Sequence, residues 1–538
     1  MSSSNIHPLV AENPLLPAQQ LLHAATTSLW HVLIAALLGL IVARTLRSNH
    51  LHWSWAAVGL APVVLVLHLL GESTLVVVAV ALYATHRGRR WHQVDVDAGV
   101  DLAELAADRR TPLDAARSLA RRLDAHAADI GAGGRDGEGL VLGQDDRSRT
   151  VMIPAGGAEG GRHTLVVGAT GSGKTVTQTW LATRAIEAGM GAVVVDPKGD
   201  AGMREELRLA AEREGRRFLE WTPRGDCAYN PYATGSETEI ADKALAGERF
   251  TEPHYMRQAQ RYLGHVVRAL RGTTKEVSLA GIVEQLDPQC LEVLARALPE
   301  AEAQATFAYL DSLTARQRAD LSGVRDRLAI MVESDVGPWL DGRTSGAHRL
   351  ELRDAVRDRA VVYFSLESDR RPLLSQMLGA AIVQDLQTVV AALQGDPIPT
   401  LVVIDEFSAV ATEHVVRLFG RARSAGFSLL LGTQELSDLR MSGSERLLER
   451  VIGNLSVLIA HRQVVPSSAE MIASLAGTAG AWRVSRHSDG RTVRSRGREP
   501  VLDPGRVMSL GRGWAAVITL EGGGQVRFTR VLPPRGGR

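Results

Sequence analysis

The chain has 538 residues, with 61 Lys and Arg against 60 Asp and Glu, a formal net charge of +1 and two cysteines. That length exceeds one ordinary core, so two or three folded units are expected. The near-neutral balance excludes a globally basic nucleic-acid binder and leaves any DNA contact to local basic patches or to a pore built by several subunits. Cys227 and Cys290 stand alone, which excludes a disulfide framework and fits a cytosolic body.

In chain order, Leu29 to Ala43 is apolar apart from His31, and Thr26, Thr27 and Ser28 extend it toward the ~20 residues that a bilayer span needs. The first 28 residues carry no Lys or Arg, so a cleaved signal peptide is not indicated. A second apolar stretch, Trp55 to Thr85, is interrupted at Gly71-Glu72-Ser73 and followed by His86-Arg87-Gly88-Arg89-Arg90. The positive-inside rule makes that basic cluster cytoplasmic and places all that follows in the cytosol. Two spans put Arg44 and Arg47 outside. Three put them inside but leave a third segment of about twelve residues, short for a ~30 Å hydrocarbon core. Length favours two and charge favours three; a buried soluble hairpin is the plain alternative. Residues 1–90 are thus expected to be an N-terminal membrane anchor, and 91–138 a cytosolic linker with a helix over 98–128.

Beyond the linker, Gly139 to Gly143 and Thr150 to Ile153 read as short strands. Strand and helix then alternate: Leu165–Val167, a helix from Thr175 to about Ala188, Ala192–Asp196, a helix over Ala201–Gly215, and Arg217–Trp221. This predicts an open, mostly parallel α/β sheet. Residues 237–345 lose the strand signal and show 3.6-residue apolar spacing, as in Tyr262-Leu263-Val266-Val267-Leu270, so an all-α insertion is expected there. The sheet resumes with Ala360–Phe364, Leu401–Asp405, Ser428–Gly432 and Leu455–Ala460, and two hairpins follow over Trp482–Arg496 and Trp514–Val531. Residues 139–236 and 346–538 therefore make up the sheet domain.

Gly168-Ala169-Thr170-Gly171-Ser172-Gly173-Lys174-Thr175 fits G-x-x-x-x-G-K-[ST] between a strand and a helix, the setting that makes the match a phosphate site. Glycines let backbone N–H groups converge on phosphate at a helix N-terminus, Lys174 reaches the β/γ-phosphates, and the Thr175 hydroxyl is a Mg²⁺ ligand. Only four residues are lysine (Lys174, Lys198, Lys243 and Lys275), and two of these fall inside motifs. Leu401-Val402-Val403-Ile404-Asp405-Glu406 is a strand ending in two acids: Asp405 stands beside the Mg²⁺ shell and Glu406 faces the attacking water. Gln434 ends the next strand, where its amide can meet γ-phosphate or water, or be an ordinary polar residue. Arg421 and Arg423 precede that strand and are candidates for a finger offered to a neighbour's γ-phosphate, with a solvated helix face as the alternative; Arg462 is a weaker candidate. Asp196-Pro197-Lys198-Gly199-Asp200 either couples nucleotide state to a neighbouring subunit or makes a turn. The arginines from Arg483 to Arg498 suggest a phosphate-contacting hairpin or a solvated arm.

Taken together, the P-loop, D-P-K-G-D at 196–200, Y-N-P-Y at 229–232, I-D-E-F at 404–407, G-T-Q at 432–434, the anchor and the helical insertion resemble the TraG/TraD-type coupling proteins of conjugation and type IV secretion, in the FtsK/HerA branch of P-loop motor ATPases. The resemblance implies a RecA-like ATPase body with an all-α domain, a two-span anchor, ATP and Mg²⁺ as cofactors, and a homo-hexamer around a DNA path. It assigns the finger to Arg423, with Glu406 and Gln434 completing the catalytic set. Its implied partners are DNA, a relaxase or relaxosome protein and inner-membrane components of a type IV secretion system. The implied location is the inner membrane, multi-pass, with the C-terminal bulk in the cytoplasm. The tail from Pro533 to Arg538 is short and basic where some relatives carry a long acidic one, a departure that puts recruitment through a tail in doubt and makes the helical insertion the other candidate. Alternatives are an FtsK/HerA-like double-stranded-DNA pump and a non-motor substrate receptor.

Overall fold

In a computed structural model of the chain, the described residues are 16–48, 52–69, 75–97 and 139–533, apart from short segments at 147, 157–160, 224, 249, 251, 274–275, 341–345, 411, 442–446, 487–491 and 521–524. The expected helix over 98–128, the break at Gly71-Glu72-Ser73 and the tail beyond residue 533 lie outside them. The chain divides into two compact units, Met1–Ala127 with Gly480–Gly497, and Ala128–Ala479 with Arg498–Arg538.

The first unit contains three helices, Leu16–Ser48, Trp55–Leu69 and Leu75–Asp97. Its buried centre consists of small residues, Ala43, Ala56 and Ala84, with Val42, Leu46 and Trp91 packed against them. The large apolar side chains point outward: Trp30, Leu33, Leu37, Ile41, Leu65 and Leu82 are all exposed. This inverts the pattern of a water-soluble bundle, whose bulky side chains fill the core. Among the described residues the helix long and apolar enough to cross a membrane is Pro372–Ala392 of the second unit, and its apolar window is 78% buried there; Trp30–Leu46 and Trp55–Leu65 are shorter apolar stretches.

The second unit is built on one sheet. The strands of the chain are β1 (Leu140–Asp145), β2 (Thr150–Ile153), β3 (Thr164–Val167), β4 (Gly191–Asp196), β5 (Phe218–Trp221), β6 (Cys227–Tyr229), β7 (His348–Leu350), β8 (Val361–Ser365), β9 (Thr400–Ile404), β10 (Phe427–Thr433), β11 (Val457–Ala460), β12 (Thr478–Arg486), β13 (Thr492–Pro500), β14 (Trp514–Thr519) and β15 (Gln525–Val531), of which β12 and β13 fall largely in the first unit. Among the described residues eleven of these form one sheet in the order β2-β1-β15-β14-β11-β3-β10-β9-β4-β8-β5. From β11 to β5 every pairing is parallel. The parallel strands are continuous apolar runs because helices cover both faces. From β11 outward the sheet continues antiparallel through β14, β15, β1 and β2, with Gly143 of β1 opposite Val531 of β15. β6 pairs with β7, and β12 with β13, as separate two-stranded sheets.

Between β6 and β7 the chain is helical. Helix Glu237–Leu245 opens on a Ser236/Glu239 capping box and helix Ala315–Val332 on a Thr314/Gln317 box, each satisfying orphan N–H groups. Tyr262, Leu263, Val266, Val267 and Leu270 bury one face of helix Pro253–Gly272 in the same hydrophobic cluster as Leu165, Val195, Ile404 and Leu431 of the sheet. One buried ion pair fastens this segment to helix Pro372–Ala392. Lys243 Nζ donates to Asp385 Oδ1 (2.7 Å), to the Thr234 carbonyl (2.6 Å) and to the Pro231 carbonyl (2.9 Å), so all three ammonium protons are used. Tyr229 of the Y-N-P-Y segment donates to Asp385 Oδ2 at 2.7 Å. Burial, with the Asp385 charge beside it, pushes the Tyr229 hydroxyl well above its ordinary range, so it remains a donor.

Removing one partner of such a pair strands the other charge in the core. Lys243→Met is expected to cost about 3–5 kcal/mol in chemical unfolding, while Lys243→Met combined with Asp385→Leu is expected to recover most of that loss.

Candidate active site

The carboxyl ends of five neighbouring strands present the motif residues side by side. Val167 of β3 is level with Thr433 of β10 and Ala460 of β11, while Ile404 of β9 is level with Leu431 of β10 and Val195 of β4. The loop Gly168–Gly173 follows β3, and Lys174 and Thr175 begin the helix Lys174–Glu187. Gly171 and Gly173 take left-handed backbone angles, φ 76° and 115°, which only glycine adopts without strain and which turn the loop around its own amides. The loop is tied at its base: Gly168 N donates to the Thr433 carbonyl (3.3 Å), Ala169 N to the Arg462 carbonyl (3.1 Å), and Gly513 N to the Ser172 carbonyl (3.1 Å).

The charges converge on one oxygen. Glu406 Oε1 accepts from Lys174 Nζ (2.5 Å), Lys198 Nζ (3.0 Å) and Gln434 Nε2 (3.1 Å). Lys174 Nζ also lies 3.4 Å from Asp405 Oδ1. Burial opposes ionisation of Glu406, but the charge and hydrogen bond of Lys174, helped by Lys198, outweigh it and set the carboxyl below its ordinary range. Asp405 goes the other way: burial raises its carboxyl, and Lys174 offsets this only in part. Two adjacent acids with divergent affinities for protons are the mark of divided labour. Glu406 also has φ 42°, a left-handed angle that costs a non-glycine residue about 1–3 kcal/mol and that clusters at functional sites.

Lys198 reaches this oxygen because Asp196 shapes the turn before it. Asp196 Oδ1 accepts from Lys198 N (2.9 Å), its Oδ2 accepts from Asp200 N (2.6 Å), and Tyr363 donates its hydroxyl to Oδ2 (2.5 Å). Asp200 then caps helix Ala201–Arg213 through Met203 N. The D-P-K-G-D segment is therefore both a turn and a second cation for Glu406 of the same chain. Lys198→Met is expected to raise the Glu406 carboxyl and move the acid limb of the kcat–pH profile to higher pH, with Lys198→Arg holding it in place. Glu406→Gln is expected to lose on the order of 10²-fold or more in kcat.

Gln434 is part of the cluster; Arg423 is not. Arg423 is exposed at the other end of β10, and its carbonyl accepts from Gly161 N on the approach to β3. Seven residues of strand, about 20 Å, separate it from the P-loop edge of its own chain. Arg421 is likewise exposed at that end, whereas Arg462 is exposed beside the P-loop. Arg491, and the side chains of Arg483, Arg486, Arg494 and Arg496, lie outside the described residues.

Behind the loop the structure adds His461, which no motif flagged. It is fully buried; with Nδ1–H given to the Trp514 carbonyl (3.0 Å), Nε2 accepts from the Thr177 hydroxyl (2.8 Å). Burial, aided by the Lys174 charge, holds it down to about pKa 4, and burial does the same to His163, whose Nδ1 accepts from Leu429 N. Both are neutral in the fold. Above about pH 6.5 the unfolded chain is neutral there too and nothing is lost. As pH falls toward 4 the unfolded chain takes protons that the fold refuses, at about 1.4 kcal/mol per unit for each histidine. Thermal melting is therefore expected to fall between pH 6.5 and 5, and less steeply in His461→Gln.

This arrangement defines a P-loop ATPase with a RecA-like body, and comparisons with known proteins agree. Residues 399–512 match the family model described as the TraM recognition site of TraD and TraG, and residues 140–212 match the helicase HerA-like C-terminal model. An uncharacterized protein of Mycoplasma pneumoniae is 30% identical over 104 residues, 19% of this chain and 69% of that protein. Among solved structures, the bacterial conjugative coupling protein TrwB in its unbound form superposes with TM-score 0.55 at 18% identity, over 74% of this chain and 95% of that one. The plasmid coupling protein TrwB in complex with ADP and Mg²⁺ does so with TM-score 0.56 at 18% identity, over 74% and 96%. The two family-model matches, over 114 and 73 residues, support a likeness to the TraG/TraD-type coupling proteins.

Proposed function

We propose that the chain is a membrane-anchored, ATP-driven DNA translocase that couples a relaxase–DNA substrate to a conjugative type IV secretion channel. The observation that carries the reading is the convergence of Lys174, Lys198 and Gln434 on Glu406 Oε1 at the mouth of the P-loop. The donor set fits MgATP: loop amides and an ammonium for phosphate, and the hard oxygens of Thr175 and Asp405 for a divalent cation. Mg²⁺ held there would neutralise charge on the phosphates. Lys174 leaves Glu406 for the β/γ-phosphates, freeing a carboxylate already ionised at neutral pH to take a proton from water. Gln434, joined to that carboxylate, reports whether the γ-phosphate is present, and Lys198 holds Glu406 in register throughout.

Arg423 stands at the far end of β10 and is out of reach of its own P-loop, so it serves the site of a neighbouring subunit in a homo-hexameric ring. The match to the TraM recognition model supports a relaxosome partner, and the coupling proteins among the structural relatives support DNA and the secretion machinery as the others. The outward-facing apolar side chains of the first unit support insertion in the inner membrane, with the Arg87–Arg90 cluster and the ATPase on the cytoplasmic side.

The reading is tested by the ATPase rate of the full chain in detergent against protein concentration, with and without single- and double-stranded DNA. A steep concentration dependence, stimulation by DNA, and a loss on the order of 10³-fold in Arg423→Ala are expected. A rate indifferent to both DNA and concentration would turn the reading to a non-motor receptor, and stimulation by duplex alone to an FtsK/HerA-like pump.

A further inference from the structure

Helix Lys174–Glu187 carries Gln178 one turn after Lys174, on the same side. The side chain is fully buried, and neither Nε2 nor Oε1 has a hydrogen-bond partner. Buried amides are nearly always paired, so one left open at both ends calls for a reason. Gly432 shows where it points. A Cβ at that position would lie 2.5 Å from Gln178 Nε2 and 2.6 Å from Asp405 Oδ1, so the amide and the carboxylate face the same gap, which a glycine in β10 keeps open. Asp405 Oδ1 has the Glu406 amide at 3.0 Å and Lys174 Nζ at 3.4 Å. Of these, Lys174 is the one that nucleotide draws away.

We propose that Gln178 is a positioning residue for Asp405: once Lys174 moves to a nucleotide's phosphates, the Gln178 carboxamide N–H becomes the donor that holds Asp405 Oδ1 in place for a divalent cation. This rests on the Mg²⁺-nucleotide reading of the site and extends it to a side chain outside every motif. No covalent bond changes; one hydrogen-bond donor replaces another. Partners of this kind behind a metal ligand commonly change metal affinity 10- to 100-fold when removed.

The test measures binding of a fluorescent ADP analogue with and without Mg²⁺, together with thermal melting, on the full chain in detergent: wild type, Gln178→Leu, Gln178→Met and Lys174→Ala. Both Gln178 variants are expected to melt at or above the wild-type temperature, because an unpaired amide has left the core. They are expected to bind the analogue as wild type does without Mg²⁺, and to lose roughly tenfold or more of the enhancement that Mg²⁺ brings. Gln178 variants that keep the whole enhancement overturn the inference. So do variants that melt lower and bind proportionately worse in both conditions, which would make Gln178 a packing residue. A wild type that binds no analogue, or a Lys174→Ala chain that binds it equally well, overturns instead the reading of the site beneath it.

Discussion

Glu406 Oε1 accepts three donors from three different strand ends, and the arrangement of the second unit follows from keeping those donors within reach. A carboxylate buried at the end of a strand is costly unless cations and N–H groups compensate it. Lys174 arrives from the loop after β3, Lys198 from the turn after β4 and Gln434 from the end of β10, so β3, β10, β9 and β4 have to be adjacent and level. The parallel register supplies both conditions. The strained backbone of Glu406 is held by the same contacts, since any relaxation of φ would swing the side chain away from all three donors.

A second polar centre does for the helical segment what Glu406 does for the site. Lys243 and Asp385 are almost fully enclosed, yet every proton on the ammonium finds an acceptor, and Tyr229 and Thr234 fill the other positions around the carboxylate. The helices share one hydrophobic cluster with the sheet, and this pair adds a directional bond between helices Glu237–Leu245 and Pro372–Ala392 while adding little to the buried apolar surface. A shape set by directional bonds holds its register when the apolar contacts around it shift.

The strands of the parallel half were legible because each is a short apolar run closed by glycine, aspartate or a polar turn, as in Ala192–Asp196 and Leu401–Asp405. The P-loop was legible because its glycines and lysine are demanded by backbone geometry. Three things were not. The antiparallel wing joins Gly143 to Val531, and pairing across so many residues leaves no local trace. His461 and Gln178 follow no period, since a single polar side chain in a buried position reads like any other. The D-P-K-G-D segment was read as a turn or an intersubunit contact, while its lysine reaches back to the acid of its own chain, a contact set by strand order and not by spacing. In the first unit the apolar stretches were plain, and the structure adds that their small residues face inward.

The antiparallel wing also has a mechanical meaning. β1 is the first described strand after the linker and is hydrogen-bonded on both sides, to β2 and to β15. Tension arriving along the chain from the N-terminal side therefore runs along the axis of a strand clamped between two neighbours. Such a load strains its ladder bonds in parallel, in shear, whereas a hairpin at the sheet edge would peel one bond at a time.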